Sequence, residues 1–338
     1  MEIKSDYSIK ELNTFGIEAR ARKFAAAETL EDLRGLLESD EFRGMPRLIL
    51  GGGSNVLFTK DFDGIVIKML LKGIEVLGKD NSCVYVKARA GENWDDFVSY
   101  ALENNFGGLE NLSLIPGTVG ASPIQNIGAY GVEIKDVLHE VEGINLLTGK
   151  TEVYDNSSCR FGYRNSIFKQ ELKNSFVVTS VTYRLSLDPR INVSYAALKQ
   201  ELLGLTESEI TIRDVSEAVK RVRMSKLPDP SVLGNAGSFF KNPEIEKEKF
   251  LKLKAMHQDL TGYETQAGKV KIPAGWLIQK SGWRGKRLGN AGSYDKQALI
   301  LVNYGGAAGK DVVELSRAIQ ASVEKEFGVH LETEVNII

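Results

Sequence analysis

A triple glycine followed by a serine and an asparagine is the segment of this sequence best suited to bind an anion. Glycine reaches positive φ without steric cost, and successive backbone N–H groups can then form a concave nest for a phosphate. An apolar run follows at residues 56–58, so the segment is neither a Walker loop nor a GxGxxG fingerprint that opens a helix. A tight turn without a ligand is the alternative. The candidate pyrophosphate-binding residues are Gly51, Gly52, Gly53, Ser54 and Asn55.

A second glycine-rich stretch, at residues 115–131, has few charges and a backbone that can approach a flat ring closely. Its amide and apolar groups suit a neutral heteroaromatic such as isoalloxazine. By itself the stretch could be a structural loop, but its pairing with the triple glycine favours a flavin cofactor with a pyrophosphate. The candidate residues in this loop are Pro116, Gly117, Gly120, Ser122, Ile124, Gln125, Asn126, Gly128, Ala129, Tyr130 and Gly131.

Two further segments carry groups that could act on a substrate. Arg164 has aromatic neighbours, and its guanidinium could bind a carboxylate in a bidentate manner; a salt-bridged surface arginine is the alternative. Ser238 ends a run of small residues, and Lys226 and Asn242, which flank that run, could bind phosphate oxygens. No GxSxG elbow surrounds Ser238 and no histidine is close to it in sequence, so proton donation is favoured over nucleophilic attack.

Composition bounds the class of protein. The 338 residues, 42% hydrophobic and 26% charged, indicate two or three globular domains. A net charge of −2 gives no support for a nucleic-acid partner, and three histidines without an HExxH motif make a zinc site improbable. Two separated cysteines, Cys83 and Cys159, suit a reducing compartment. No apolar run approaches the length of a membrane span, which is about 20 residues, so we expect a cytoplasmic protein. From the histidines we expect no metal.

Helix and strand signals alternate along the chain in an α+β pattern. Thr29 is expected to cap a helix, a second helix is expected from Asn93, and Gly328 is expected to end a helix over 311–327. Apolar runs and alternation predict strands at 47–50, 64–70, 84–88, 176–187, 298–303 and 331–337, with a hairpin turn at 146–151. In the last strand Leu331, Thr333, Val335 and Ile337 are predicted to share one face.

Motifs along nearly the whole chain resemble the UDP-N-acetylenolpyruvoylglucosamine reductase family. They are GGGSNVLF, NLSLIPGTVGASPIQNIGAYG, RFGYRNSIF, KLPDP with GNAGSFFKNP, and LETEV. Tyr195 matches the loop tyrosine of the first of the two family types. The resemblance implies an α+β fold with an FAD-binding unit of the vanillyl-alcohol-oxidase (PCMH) kind and a smaller α+β substrate-binding domain. The expected FAD-binding subdomains are 1–72, to which strand 328–338 returns, and 73–227; the substrate-binding domain is 228–327.

The resemblance also implies an activity. NADPH would reduce bound FAD, and the flavin would pass hydride to the enolpyruvyl group of UDP-N-acetylglucosamine-enolpyruvate, giving UDP-N-acetylmuramate for peptidoglycan synthesis. Arg164 would stabilise the negative charge at the substrate carboxylate, and Ser238 would donate the proton. Glu334 would act as a carboxylic acid there, which requires a raised pKa. The residues expected to bind the UDP-sugar are Tyr195, Arg223, Lys226, Asn242 and Gln297.

Some features leave alternatives open. Thr333 replaces the proline of the usual LEPEV motif, and without the resemblance Glu332 and Glu334 would be a solvated strand face. The sequence GNAGS occurs at 234–238 and 289–293, but only the first copy continues into SFFKNP, so Ser293 is expected to be structural. The alternative functions are another FAD oxidase or dehydrogenase, or a non-catalytic nucleotide-sugar-binding protein. We expect a monomer with a small-molecule UDP-sugar substrate and no nucleic-acid or membrane partner.

Overall fold

The computed structural model of the chain describes residues 2–40, 44–206, 208–265 and 267–338. The chain divides into two compact units. The first unit consists of the chain up to Tyr7, Ala21–Gly52 and Phe62–Ser225, and the second consists of Ser8–Arg20, Gly53–Asp61 and Lys226–Ile338. The triple glycine is therefore divided between the units after Gly52. The three domain boundaries expected from the sequence stay a prediction.

Helices and sheets occur in both units, which confirms the α+β class. The helices are Leu30–Glu38, Trp94–Glu103, Ala196–Glu201, Ile212–Lys226, Lys247–Met256, Ala274–Lys280 and Gly309–Phe327. Short 3₁₀ turns lie at Lys10–Leu12, Glu110–Leu112, Val119–Ala121, Ile134–Asp136 and Ile167–Lys169. Besides the strands of the larger sheets given below, two-residue strands pair at Gly128–Ala129 with Val132–Glu133, and at Val56–Leu57 with Asn336–Ile337.

The first unit is built on two sheets. One is four-stranded, in the order Lys4–Ser8, Arg20–Ala27, Phe62–Met69, Arg47–Leu50, and its strand Phe62–Met69 runs parallel to both Arg20–Ala27 and Arg47–Leu50. The other is five-stranded and antiparallel, in the order Thr151–Asp155, Leu138–Asn145, Phe176–Ser186, Cys83–Arg89, Ile74–Lys79. The hairpin predicted at 146–151 is confirmed as the turn between Leu138–Asn145 and Thr151–Asp155.

The period of the strands determines which side chains reach the core of the first unit. In Phe62–Met69, Ile65, Ile67 and Met69 are buried in one hydrophobic cluster with Leu33 of helix Leu30–Glu38. Burial of each such aliphatic side chain stabilises the fold by about 1.5–3 kcal/mol. Successive side chains of a strand point to opposite faces, so Lys68 lies on the face away from this cluster.

Two predicted helix starts are confirmed by their caps. The Thr29 hydroxyl accepts a hydrogen bond from the backbone N–H of Asp32, and the Asp32 carboxylate accepts one from the N–H of Thr29, which forms a capping box. The Asn93 side chain accepts from the N–H groups of Asp95 and Asp96. These caps satisfy N–H groups that have no partner within the first helical turn.

The second unit contains a four-stranded sheet and a three-stranded sheet around its own hydrophobic cluster. The first has the order Gly234–Ser238, Ile300–Asn303, Ala291–Ser293, Arg287–Leu288, and the second has the order Glu244–Ile245, Val270–Lys271, Tyr263–Glu264. Helix Gly309–Phe327 buries Leu315 and Ile319 in the cluster that holds Phe239 and Phe240. Gly328 ends this helix with φ 60°, as predicted from the sequence.

The continuous strand predicted over 331–337 is wrong, because only Asn336–Ile337 forms a strand. The segment bonds to two different neighbours in succession. The Glu334 N–H donates to Phe239 O at 2.8 Å, whereas the Asn336 N–H donates to Asn55 O at 3.1 Å. This change of partner breaks the ladder, and Ile337 is exposed although Leu331 and Val335 are buried.

Within the described ranges, no helix is both long and apolar enough to cross a membrane. The same residues contain no cluster of three or more His, Cys, Asp or Glu side chains that could hold a metal ion.

Candidate functional site

Two glycine segments of the first unit touch backbone to backbone. A Cβ on Gly51 would lie 2.4 Å from Thr118 Oγ1, and a Cβ on Gly52 would lie 2.7 Å from Gly117 Cα. Such distances require a shift of the neighbouring atoms, and at Gly52 the obstacle is backbone. The two loops singled out from the sequence are therefore in direct contact, through backbone at Gly52 and through the Thr118 side chain at Gly51, and the few side chains there suit the close approach of a cofactor.

The N–H groups of the triple glycine are the donors that the sequence predicts for an anion nest. Within the described ranges, no residue accepts a hydrogen bond from the N–H of Gly52 or of Gly53. Buried N–H groups are nearly always paired in folded proteins, so unpaired donors in a glycine turn indicate a place for a ligand oxygen. Gly53 belongs to the second unit, where its φ is 68° and an added Cβ would collide with Leu12 O. Glycine is required there.

The sequence analysis missed Lys68, which lies beside this loop. Its Nζ donates to Gly51 O at 2.5 Å, and the side chain is half-buried. Burial lowers the pKa of Lys68. The available signal was a lysine inside an otherwise apolar strand, predicted at 64–70.

The segment Arg160–Phe168 is bound to the loop at residues 115–131. Arg164 Nη2 donates to Gly128 O at 2.6 Å, and its Nη1 donates to Asn126 O at 3.4 Å. Ser166 Oγ donates to Ile124 O at 2.6 Å. Arg164 has φ 51°, an unfavourable value for a residue with a side chain, and its guanidinium lies 5.4 Å from the centre of the Tyr163 ring. The structure thus brings the predicted charge-stabilising arginine onto the predicted flavin loop.

Two candidate cofactor residues use their side chains to hold the loop in shape. The hydroxyls of Ser122 and Tyr183 are 2.9 Å apart, and both residues are buried. The fully buried Asn126 donates from Nδ2 to Glu133 Oε2 at 3.1 Å and to Gly162 O at 3.0 Å. A direct contribution of Ser122 and Asn126 to cofactor binding would therefore come from their backbone.

Three predicted residues of the first unit form a connected group. The rings of Tyr130 and Tyr195 are 5.1 Å apart and perpendicular. Tyr130 also shares a hydrogen bond with Arg223, whose Nε donates to Leu114 O at 3.1 Å. Burial raises the pKa of Tyr130, which the neighbouring Arg223 opposes, and burial lowers the pKa of Arg223. The hydrogen bond between the neutral Tyr130 phenol and the Arg223 guanidinium therefore stabilises both partly buried groups.

A β-bulge exposes Ser238 in the second unit. Asn235 pairs with Val302 and Ser238 pairs with Ile300, so the strand carries an extra residue between these pairs, where Gly237 has φ 68°. Bulges turn a side chain to another direction and are common beside active sites. The Ser238 hydroxyl is exposed, whereas Ser293 of the second GNAGS copy is fully buried and donates to Ala298 O at 2.9 Å. Ser293 is structural, as expected.

Glu334 lies in the segment next to Ser238. Its N–H donates to Phe239 O at 2.8 Å, and its carbonyl accepts from Asn55 Nδ2 at 3.4 Å. Its neighbour Glu332 is exposed and forms an ion pair with Lys241 at 2.5 Å. Glu334 is half-buried. Glu332 and Glu334 therefore have different surroundings. If both lay on a solvated strand face, both would be exposed.

Two candidate substrate residues meet at the start of helix Ala274–Lys280. Asn242 Oδ1 accepts from the Ala274 N–H at 2.9 Å, and Gln297 Oε1 lies 2.8 Å from the position that a Cβ on Gly275 would take. Lys226, at the end of helix Ile212–Lys226, is exposed. The predicted catalytic residues are divided between the units, with Arg164 in the first and Ser238 and Glu334 in the second.

Known proteins resemble the chain over its full length. Family profiles match residues 21–155, described as "FAD binding domain", and residues 229–338, described as "UDP-N-acetylenolpyruvoylglucosamine reductase, C-terminal domain". The UDP-N-acetylenolpyruvoylglucosamine reductase of Flavobacterium johnsoniae is 49% identical over 339 residues, and that of Amoebophilus asiaticus is 45% identical over 338 residues. Both alignments cover 100% of this chain and 100% of the relative.

Solved structures are also similar to the chain. The UDP-N-acetylenolpyruvylglucosamine reductase of Thermus caldophilus has a TM-score of 0.69 and 26% identity, with 99% of this chain and 98% of that chain covered. A solvent-stable cholesterol oxidase has a TM-score of 0.51 and 10% identity, with 98% and 86% covered. The oxidase shows a shared fold alone.

Proposed function

Because this chain belongs to the UDP-N-acetylenolpyruvoylglucosamine reductase family, whose members are FAD-dependent oxidoreductases of peptidoglycan precursor synthesis, we propose that it reduces the enolpyruvyl group of UDP-N-acetylglucosamine-enolpyruvate with NADPH. The observation that carries this proposal is the 49% identity to a reductase over the whole of both chains. Residues 51–55 and 115–131 would hold FAD, and the bound flavin would supply the hydride chemistry that links NADPH to the enolpyruvyl group. The product is UDP-N-acetylmuramate, in which the enolpyruvyl ether has become a lactyl ether.

The residues of the glycine segments fit FAD. The unpaired N–H groups of Gly52 and Gly53 suit the two phosphates, and the close packing of Gly52 on Gly117 leaves backbone for contact with flat groups. We assign the diphosphate to residues 51–55 and the isoalloxazine to residues 115–131.

Arg164 is the residue that we propose stabilises the charge formed on the substrate carboxylate. An enol ether accepts hydride only when the negative charge that reaches the carboxylate is stabilised, and fixed donors do this without reorganisation. The guanidinium is held by Gly128 O and Asn126 O, so its orientation is set before the substrate binds. A lysine could keep the charge at this position but not the planar arrangement of donors.

Ser238 is the proposed proton donor to the carbon next to the substrate carboxylate. A hydroxyl is a weak acid, but a carbon that bears enediolate charge is a strong base, so the transfer is feasible in a site without bulk water. The bulge at Gly237 presents the hydroxyl away from the strand. Glu334, in the neighbouring segment, is proposed to donate a hydrogen bond to the substrate carboxyl group as a carboxylic acid.

The UDP part of the substrate is assigned to charged and amide groups. Lys226, Arg223 and Asn242 would bind the diphosphate oxygens, and Gln297 would contact the sugar. Tyr195, which packs on Tyr130, would close over the bound nucleotide. We also propose that the enzyme is a monomer in the cytoplasm, in line with its two buried free thiols, Cys83 and Cys159.

The two half-reactions of the flavin test the assignment of Ser238 separately. With Ser238→Ala we expect flavin reduction by NADPH at the wild-type rate, because no proton from Ser238 is needed. Flavin reoxidation by the enolpyruvyl substrate should fall by a factor on the order of 10³ or more, because the proton donor is absent. Stopped-flow absorbance of the flavin measures both rates.

Ser322→Ala, on helix Gly309–Phe327, is the matched control and should leave both half-reactions unchanged. Normal reoxidation in Ser238→Ala would show that another group donates the proton. If NADPH did not reduce the flavin of the wild-type protein, that result would instead support the alternative of a nucleotide-sugar-binding protein without redox activity.

A further inference from the structure

Lys68 has a position that the proposed roles of the other residues leave unexplained. It lies in strand Phe62–Met69, one residue from the buried Ile67 and Met69, yet its ammonium reaches the first glycine of the cofactor loop. Within the parts of the chain that the structure describes, its Nζ donates to Gly51 O and to no other group. No carboxylate of the described residues forms an ion pair with it.

The hydrogen bond to Gly51 O fixes the orientation of one peptide group. In a trans peptide the C=O bond and the following N–H bond lie in one plane and point in opposite directions. Gly51 O faces Lys68, so the Gly52 N–H points away from Lys68. That N–H is one of the two donors of the loop for which the described residues provide no acceptor. Lys68 therefore holds the nest in the orientation that an anion needs.

Among the residues that the structure describes, no carboxylate compensates the charge of Lys68. A half-buried ammonium loses hydration, and burial lowers the pKa of Lys68 for that reason. A lysine usually has a carboxylate partner when it is withdrawn from water. An anion that binds to the loop would supply the missing charge, and the Gly51 loop is the part of this fold that we assign to a diphosphate.

We propose that Lys68 is a positioning residue for the FAD diphosphate, which orients the Gly51–Gly52 peptide and provides a positive charge behind it. This inference rests on the FAD binding included in the proposed function, but not on the assigned substrate or catalytic residues. It assigns to the cofactor site of this chain a cation from the strand Phe62–Met69, outside the glycine-rich motifs.

The affinity of the apoprotein for FAD tests the proposal directly. Lys68→Met keeps most of the aliphatic stem but removes the charge and the donors. We expect its Kd for FAD, measured from flavin fluorescence in the absence of substrate and NADPH, to rise about tenfold or more. Lys68→Arg should stay within about threefold of the wild type, because it keeps both charge and donors. Added NaCl should weaken FAD binding more in the wild type than in Lys68→Met.

Lys72→Met is the matched control, since Lys72 is an exposed lysine four residues later that pairs with Glu92 at 3.2 Å. Its Kd for FAD should stay within about twofold of the wild type, because Lys72 is exposed and its ammonium pairs with Glu92 and not with the Gly51 loop. Equal Kd values for Lys68→Met and Lys72→Met would overturn the proposal. So would a lower unfolding midpoint of the Lys68→Met apoprotein together with an unchanged Kd, because the role would then be structural.

Lys68→Gln provides a second test if Lys68→Met does not fold. It keeps a donor for Gly51 O without the charge, so its Kd should lie between that of the wild type and a value about tenfold higher. A Kd equal to that of the wild type would contradict a role for the charge. Because the titration contains only apoprotein and FAD, a failure of the proposed reduction leaves the result for Lys68 unaffected.

Discussion

Burial sets the chemistry of single side chains in this protein, and Cys159 is an example. The residue is fully buried, and its Sγ lies 3.8 Å from Tyr154 O. Burial raises the pKa of the Cys159 thiol to about 12, and the negative charge of Asp155 adds to the effect. The folded protein therefore keeps the proton at pH values where the unfolded chain releases it.

The stability of the protein should depend on this thiol above its ordinary pKa. The folded state binds more protons than the unfolded state between about pH 9 and pH 12, so the free energy of unfolding should fall as the pH rises through this window. The contribution of one group is at most about 1.4 kcal/mol per pH unit. Denaturant titrations at pH 8 and pH 10.5 should show a smaller loss for Cys159→Ala than for the wild type. An equal loss in both proteins would contradict the raised pKa.

Ser238 and Ser293 show at the same scale that identical local sequence does not determine the surroundings of a residue. Both end a GNAGS pentapeptide, and both copies pair with strand Ile300–Asn303, on its opposite edges. The first copy has a bulge and exposes its serine, whereas the second pairs regularly and buries its serine. Only the exposed serine can meet a substrate.

The contact between the two glycine segments is the element on which we expect cofactor binding to depend. A Cβ at Gly52 would lie 2.7 Å from the backbone of Gly117, so Gly52→Ala must push the loops apart. We expect this variant to fold but to lose FAD affinity by a factor on the order of 10 to 100, since a displacement of about 1 Å disturbs every contact of the nest. Flavin fluorescence measures the Kd.

Gly35→Ala provides the control for this prediction. Gly35 lies inside helix Leu30–Glu38, and a Cβ there would meet nothing within 4 Å. The substitution should raise the free energy of unfolding by up to about 1 kcal/mol, because alanine is the better helix former. The Kd for FAD should be unchanged. A Gly52→Ala protein with the FAD affinity of Gly35→Ala would show that the loops can relax without loss.

At the scale of the whole molecule, FAD should stabilise the folded chain by mass action. A ligand at about 100 times its Kd adds about 2.7 kcal/mol to the free energy of unfolding. For a chain of 338 residues this raises the Tm by about 4 °C, and by more if one unit unfolds alone. Scanning calorimetry of the apoprotein with and without FAD measures the shift. NaCl at the same ionic strength is the control, and a shift of equal size with NaCl would contradict specific binding.

The sequence alone indicated the family, because its motifs resemble those of the family along nearly the whole chain, and the FAD cofactor and the reaction were implied by that resemblance. It also predicted the helices after Thr29 and Asn93 and the end of the helix at Gly328, since caps act over a few residues. The individual catalytic and binding roles stay predictions, with the domain boundaries and the monomeric state.

The tertiary structure decided what depends on contacts distant in sequence. It placed Arg164 on the carbonyl groups of Gly128 and Asn126, and it broke the predicted final strand between the partners Phe239 and Asn55. It also brought Lys68 to Gly51, a contact that no periodicity predicts, because a strand pattern gives the face of a side chain but not the atom at its end.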